Sequence, residues 1–203
     1  MVVSTTTTAA RPGRKPDRAL DEALLQATID VVVEVGYERT TMDLVAQRAG
    51  STKSALYRRW RSKGALTLDA ISMLQAPETD LETLPDHGSL RADLMALTEP
   101  YETEAGRVKL RLMAGLASLL DQEPELTDAI ERLVVTPWIE VCRRLIERAV
   151  ERGEAATDDP ATVARVVPAM TSHRLLVERG AVDRVFFVSL IDTVVLPALR
   201  PSP

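Results

Sequence analysis

The stretch AGSTKSALYRRWRSKGAL, Ala49 to Leu66, concentrates side chains that bind phosphate. Between Leu44 and Leu68 there is no acidic residue, yet Arg48, Lys53, Arg58, Arg59, Arg61 and Lys63 all fall there. Ser51, Thr52, Ser54, Tyr57 and Ser62 are interleaved with them. Lysine and arginine neutralise phosphates, and small hydroxyls donate to phosphate oxygens or to base edges. The chemistry implied is ionic and hydrogen-bonding recognition of a polyanion.

Covalent or metal chemistry finds little support. There are two histidines, His87 and His173, and no HExxH, CxxC or phosphate-cradling glycine loop. The expectation is no enzyme, no metal and no cofactor. The single cysteine, Cys142, excludes an internal disulfide and suits a reducing cytoplasm. Overall the chain is acidic, with net charge −5, but residues 1–63 carry 11 basic and 7 acidic side chains and the rest 14 and 23. That division assigns the polyanion to the first third. No apolar run is long enough to span a bilayer. The opening MVVSTTTTAA has neither a charged n-region nor an apolar h-region, so it reads as a tail and not as a secretory signal.

The elements that must position these residues are helices. Leu20, Leu24, Ala27, Val31 and Val35 recur at helical spacing, and Gly36 offers a stop. Thr40 and Thr41 are N-cap candidates for a short second helix, Met42 to Arg48, facing inward through Leu44 and Val45. After the Ala49-Gly50 turn, Ser51 or Thr52 caps a third helix of about two turns, with Leu56 and Trp60 inward. Thr52, Lys53, Ser54, Tyr57 and Arg58 then face outward. Ser62 caps a fourth helix from Lys63 to about Leu74. Two short helices about a glycine turn describe a helix-turn-helix, and small side chains let the second enter a major groove.

Residues 18–68 resemble the DNA-binding domain of the TetR family of bacterial transcriptional regulators. ALLQATIDVVVEVGYERTTMDLVAQRAG is similar to that family's first two helices, and STKSALYRRWRSKGAL to its recognition helix and the lysine that opens the next. The resemblance implies an all-α homodimer whose second domain holds a small-molecule pocket, the last two helices building a four-helix bundle with the partner's. It carries DNA contacts onto Thr41, Thr52, Lys53, Ser54, Tyr57 and Lys63, with Arg58 and Arg59 beside them. Ser51 stands where the family usually has valine, and Ala55 where it often has threonine or glycine. The arm RPGRKP resembles the basic extension of some members, and Arg14 and Lys15 are expected to reach the minor groove.

The organisation expected is a disordered basic arm over 1–16, a helix-turn-helix domain over 17–75 and a helical effector and dimerisation domain over 76–203. Five helices are read in the last, near 89–99, 104–121, 124–152, 159–178 and 181–199, with kinks at Pro137 and Pro168. One apolar stripe comprises Val108, Met113, Leu116, Ala117 and Leu120, and a second runs from Leu126 through Ile130, Val134, Trp138 and Cys142 to Ala149. Met113, Leu116, Trp138, Cys142 and Met170 are the pocket candidates. The final helix is apolar around much of its girth, which suggests a partner surface including Val185, Phe186, Val188, Ile191 and Val195. His173 is expected in core or interface.

Three functions fit: a regulator released from operator DNA by an effector, a helical ligand-binding or enzymatic protein with an N-terminal protein-interaction module, and an architectural DNA binder. Sequence-specific binding to an operator separates the first from the others.

Overall fold

The structure is a computed structural model, and it describes residues 18–73, 81, 84–116 and 124–199. Among these residues there are helices and turns and no strand, so the fold is all-α. No helix among them is long and apolar enough to cross a membrane. Arg14 and Lys15 lie outside the described residues, as do Leu74, Ala117 and Leu120.

Four helices build the first unit: α1 (Arg18–Val35), α2 (Met42–Arg48), α3 (Lys53–Tyr57) and α4 (Lys63–Met73). Gly36 ends α1 at φ +79°, a conformation that is strained for other residues. Thr41 caps α2 by accepting from the Leu44 N–H at 3.2 Å, while Thr40 turns back to the Gly36 carbonyl at 2.8 Å. α2 faces inward through Met42, Val45 and Ala46; Leu44, expected inward, is exposed. Thr52 caps α3, accepting from the Ala55 N–H at 3.2 Å. This helix is about half a turn shorter than expected, because the chain opens after Tyr57, yet Leu56 and Trp60 remain buried. Leu24, Ala27, Val31, Val45, Leu56, Trp60 and Leu66 form the core that holds α3 in place.

The second unit comprises α5 (Leu90–Ala96), a 3-10 turn (Glu99–Glu102), α6 (Glu104–Gly115), α7 (Pro124–Ile130), α8 (Thr136–Glu151), α9 (Pro160–Ala164), α10 (Val166–Leu176), α11 (Arg184–Leu190) and α12 (Leu196–Ala198). Its entrance is held by Asp93. This fully buried carboxylate accepts from the His87 N–H at 2.6 Å, from Arg148 at 3.0 Å and from Arg152 at 3.5 Å. Burying a charge is tolerable only with such partners.

Proline interrupts both long helices in which it was expected to act, through a π turn in one and a break in the other. Pro137 cannot donate to the carbonyl four residues back, and its ring crowds that carbonyl. The chain takes a π turn over Glu131–Val135 between α7 and α8, in which the Thr136 N–H reaches the Glu131 carbonyl. Pro197 is preceded in the same way by a π turn over Ile191–Val195. The expected helix 159–178 breaks at Arg165 instead, which places Pro168 in the first turn of α10, where its missing N–H costs nothing.

The two units share a hydrophobic seam. Ile29 and Val32 of α1, Tyr37, and Ala70 and Ile71 of α4 pack with Leu112 and Leu116 of α6 and Leu126 of α7. α1 is therefore buried on two faces, one toward α2 and α3 and one toward α6. At the closest approach the Tyr37 N–H donates to the Gly115 carbonyl at 3.0 Å, and a Cβ on Gly115 would stand 2.8 Å from the Val32 carbonyl oxygen.

Candidate nucleic-acid interface

Thr52, Lys53, Ser54, Tyr57 and Arg58 all lie on the exposed side of α3, opposite the buried Ala55 and Leu56. Tyr57 is 50% exposed, an uncommon position for so large a ring without a partner surface. Thr41 is exposed at the head of α2. Lys53 is paired with Asp43 at 2.7 Å, and the hydrogen bond it donates to that carboxylate, then the carboxylate's charge, raises the lysine's pKa. Exposed pairs of this kind contribute little, so exchange of Asp43 for a phosphate is inexpensive.

Lys63, at the start of α4, packs its ammonium over the Tyr37 ring at 3.9 Å from the centroid and donates to the Tyr37 carbonyl at 2.9 Å. The side chain is thereby held where α4 presents its first N–H groups. Arg59 departs from expectation. Its guanidinium turns toward α1, bonding Asp21 and donating to the Ala55 carbonyl at 3.1 Å, and its side chain is only 17% exposed. Helical spacing carried the signal, since Arg59 follows the buried Ala55 by four residues and Leu56 by three.

A second site lies in the helical unit. A cavity of about 260 Å³ opens between α6, α7, the π turn and α10. Met113, Leu116 and Trp138 line it, as expected. Cys142 and Met170 do not. Cys142 is buried in the core of α8, where burial pushes its thiol up to about 12, and Met170 is exposed on α10. The second apolar stripe thus divides in function. Ile130, Val134 and Trp138 face the cavity, while Val141, Cys142, Leu145 and Ala149 pack in the core.

The partner-surface candidates divide similarly. Val185 is 77% exposed and Phe186 and Val188 are half-buried, but Ile191 and Val195 belong to the protomer's own core. The final helix is apolar around much of its girth because one face is core and another carries the exposed Val185 and Val194. His173 is exposed on α10 and lies 3.3 Å from Glu178, so it is not a core residue.

The family description "Bacterial regulatory proteins, tetR family" matches residues 24–70, and "Tetracyclin repressor-like, C-terminal domain" matches residues 84–194. The chain belongs to the TetR family. It is 34% identical over 175 residues to the DNA-binding transcriptional repressor TetR of Mycobacteroides abscessus, covering 86% of this chain and 90% of that one. It is 31% identical to an HTH-type transcriptional regulator of Mycobacterium bovis, covering 83% and 82% of the two chains. Salmonella enterica GusR has the same fold, with a TM-score of 0.74 at 19% identity over 93% of this chain and 99% of that one. As a TetR-family member this chain is a DNA-binding transcriptional regulator. The interaction-module reading of its N-terminal unit is not favoured by these relatives.

Several residues of this TetR-family cavity escaped sequence reading. Tyr101 follows Pro100 in a 3-10 turn, outside any periodic stripe, and its ring centroid lies 5.7 Å from that of Trp138. Thr171 and Leu175 line the cavity from α10, which restarts at Val166, two residues before Pro168. Ile130 and Val134 carried a signal, since they lie on the same stripe as Trp138.

Proposed function

We propose that this protein is a homodimeric repressor that leaves its operator when a small molecule fills the cavity of the helical unit. Residues 1–16, 17–75 and 76–203 then divide as DNA-contacting arm, DNA-binding domain, and effector and dimerisation domain, and the protein works in the cytoplasm. It acts by binding and not by catalysis. Thr41, Thr52, Lys53, Ser54, Tyr57, Arg58 and Lys63 form the DNA face, with Arg14 and Lys15 in the minor groove. Arg59 holds α3 against α1 and acts as a positioning residue. The exposed Val185, with Phe186 and Val188, meets a second copy, which sets two recognition helices about 34 Å apart in successive major grooves.

The observation that carries this reading is a shared wall. Met113, Leu116, Ile130 and Val134 line the cavity and also pack in the seam between the two units. From that wall the path to the DNA face is short: the Gly115 carbonyl accepts from Tyr37, and the Tyr37 carbonyl accepts from Lys63. A molecule that displaces the wall moves α6 against α1 and alters where Lys63 and α3 stand. A differential affinity of about 1–3 kcal/mol between the two arrangements is enough to regulate.

The test is a fluorescence-anisotropy titration against DNA from upstream of the protein's own gene at two salt concentrations, with scrambled DNA as control. Binding that exceeds the control by about 10³ and weakens with salt is expected. Compounds that release the DNA are then sought in the same assay. Binding equal to the control on this and other genomic candidates would overturn the reading.

A further inference from the structure

The cavity wall is mostly apolar, with hydroxyls at Tyr101, Thr127, Thr171 and Ser172, and of these four residues only Thr171 is buried. Thr171 is 4% exposed, lines the cavity, and its hydroxyl has no hydrogen-bond partner among the described residues. Other helical hydroxyls in this chain turn back to the carbonyl four residues earlier: Thr28 to Leu24 at 2.8 Å, Ser72 to Leu68 at 3.0 Å and Thr193 to Ser189 at 2.6 Å. Thr171 does not. Thr67 shares this condition but does not line the cavity. A buried hydroxyl left unpaired is destabilising, and it favours whatever occupant supplies the missing partner.

The remaining walls define the rest of that occupant. Tyr101 and Trp138 present aromatic surface, and Met113 and Leu116 present aliphatic surface. The charged side chains on the wall, Lys109 and Glu131, have opposite signs, and neither is buried. With both of these charges in reach of water, neither offsets in full the desolvation of an ionised ligand drawn into the cavity. We infer that the cavity takes an uncharged, ring-sized, mostly apolar molecule bearing a hydroxyl, carbonyl or amide group, and that Thr171 selects for that group. This inference rests on the effector-cavity reading above and names the ligand class for it.

The experiment is equilibrium dialysis of the full chain, wild type and Thr171→Val, against naphthalene, 2-naphthol and 2-naphthoate. Wild type is expected to hold 2-naphthol about tenfold more tightly than naphthalene, and 2-naphthoate more weakly than 2-naphthol. In Thr171→Val the preference for 2-naphthol over naphthalene collapses to near unity, because the alcohol loses its partner and the hydrocarbon no longer covers an orphan hydroxyl. Thr171→Ser restores the preference, which separates the hydroxyl's role from any loss of folding. An undiminished preference in Thr171→Val overturns the role of Thr171, and 2-naphthoate as the tightest binder overturns the uncharged class. If wild type binds none of the three, the ligand class falls. If binding instead survives intact in Met113→Trp, which fills the cavity, the compounds bind elsewhere and the effector-cavity reading fails with it.

Discussion

Tyr57 and Leu56 are neighbours with opposite environments, the first half-exposed and the second fully buried. One anchors α3 and the other is left to act. Tyr57→Ala is therefore expected to weaken operator binding by about 1–3 kcal/mol in an anisotropy titration, with an unchanged thermal unfolding midpoint. A mutant as tight as wild type would remove Tyr57 from the DNA face. Cys142 supplies a residue-scale prediction of another kind. Burial raises its thiol from an ordinary value of 9.0 to about 12, so the folded state resists deprotonation. The stabilisation is complete below pH 9 and is lost progressively as pH rises from 9 toward 12. Urea unfolding of wild type and Cys142→Ala between pH 8 and pH 11 should show a steeper decline for wild type. Parallel declines would mean that the thiol ionises without unfolding.

At the scale of elements, the approach of α6 to α1 is the tightest constraint described. A methyl group on Gly115 would meet the Val32 carbonyl oxygen at 2.8 Å and the Val32 Cγ1 at 3.3 Å, and backbone cannot give way as a flexible side chain can. Gly115→Ala should cost about 1–3 kcal/mol in denaturant unfolding and weaken the response of DNA binding to any effector. Stability equal to wild type would show that the seam is more yielding than its geometry. Elements and caps were largely legible beforehand: Gly36, Thr41, Thr52 and Ser62 mark ends that the structure has. Leu56 and Trp60 were legible as anchors for the same reason, being large apolar residues at helical spacing. What was hidden depended on partners distant in sequence. Arg59 is held inward because Asp21 waits there, and Ile191 is core because its π turn packs against α5 and α10. The π turns were hidden too, since a proline states that a hydrogen bond is missing and not how the chain absorbs the loss.

At the scale of the whole molecule, the bare apolar surface on α11 carries the clearest consequence. Val185 is 77% exposed, and Val177 at the end of α10 is 68% exposed. If a second copy covers α11, Val185→Glu buries a charge against an apolar partner and should yield monomers in analytical ultracentrifugation. Operator affinity should fall on the order of 10²-fold, because two half-sites are no longer engaged together. A variant that sediments like wild type would place the assembly surface elsewhere.

The double duty of Met113, Leu116, Ile130 and Val134 also separates two properties of any compound that enters the cavity. A compound that fits the space as it stands binds with its full affinity and moves nothing. One that must push those four side chains into the seam binds more weakly, because part of its interaction energy goes into shifting the units. Potency and efficacy are thereby opposed. The tightest binders of this protein should act as silent competitors, and the strongest inducers should be bulkier molecules of modest affinity.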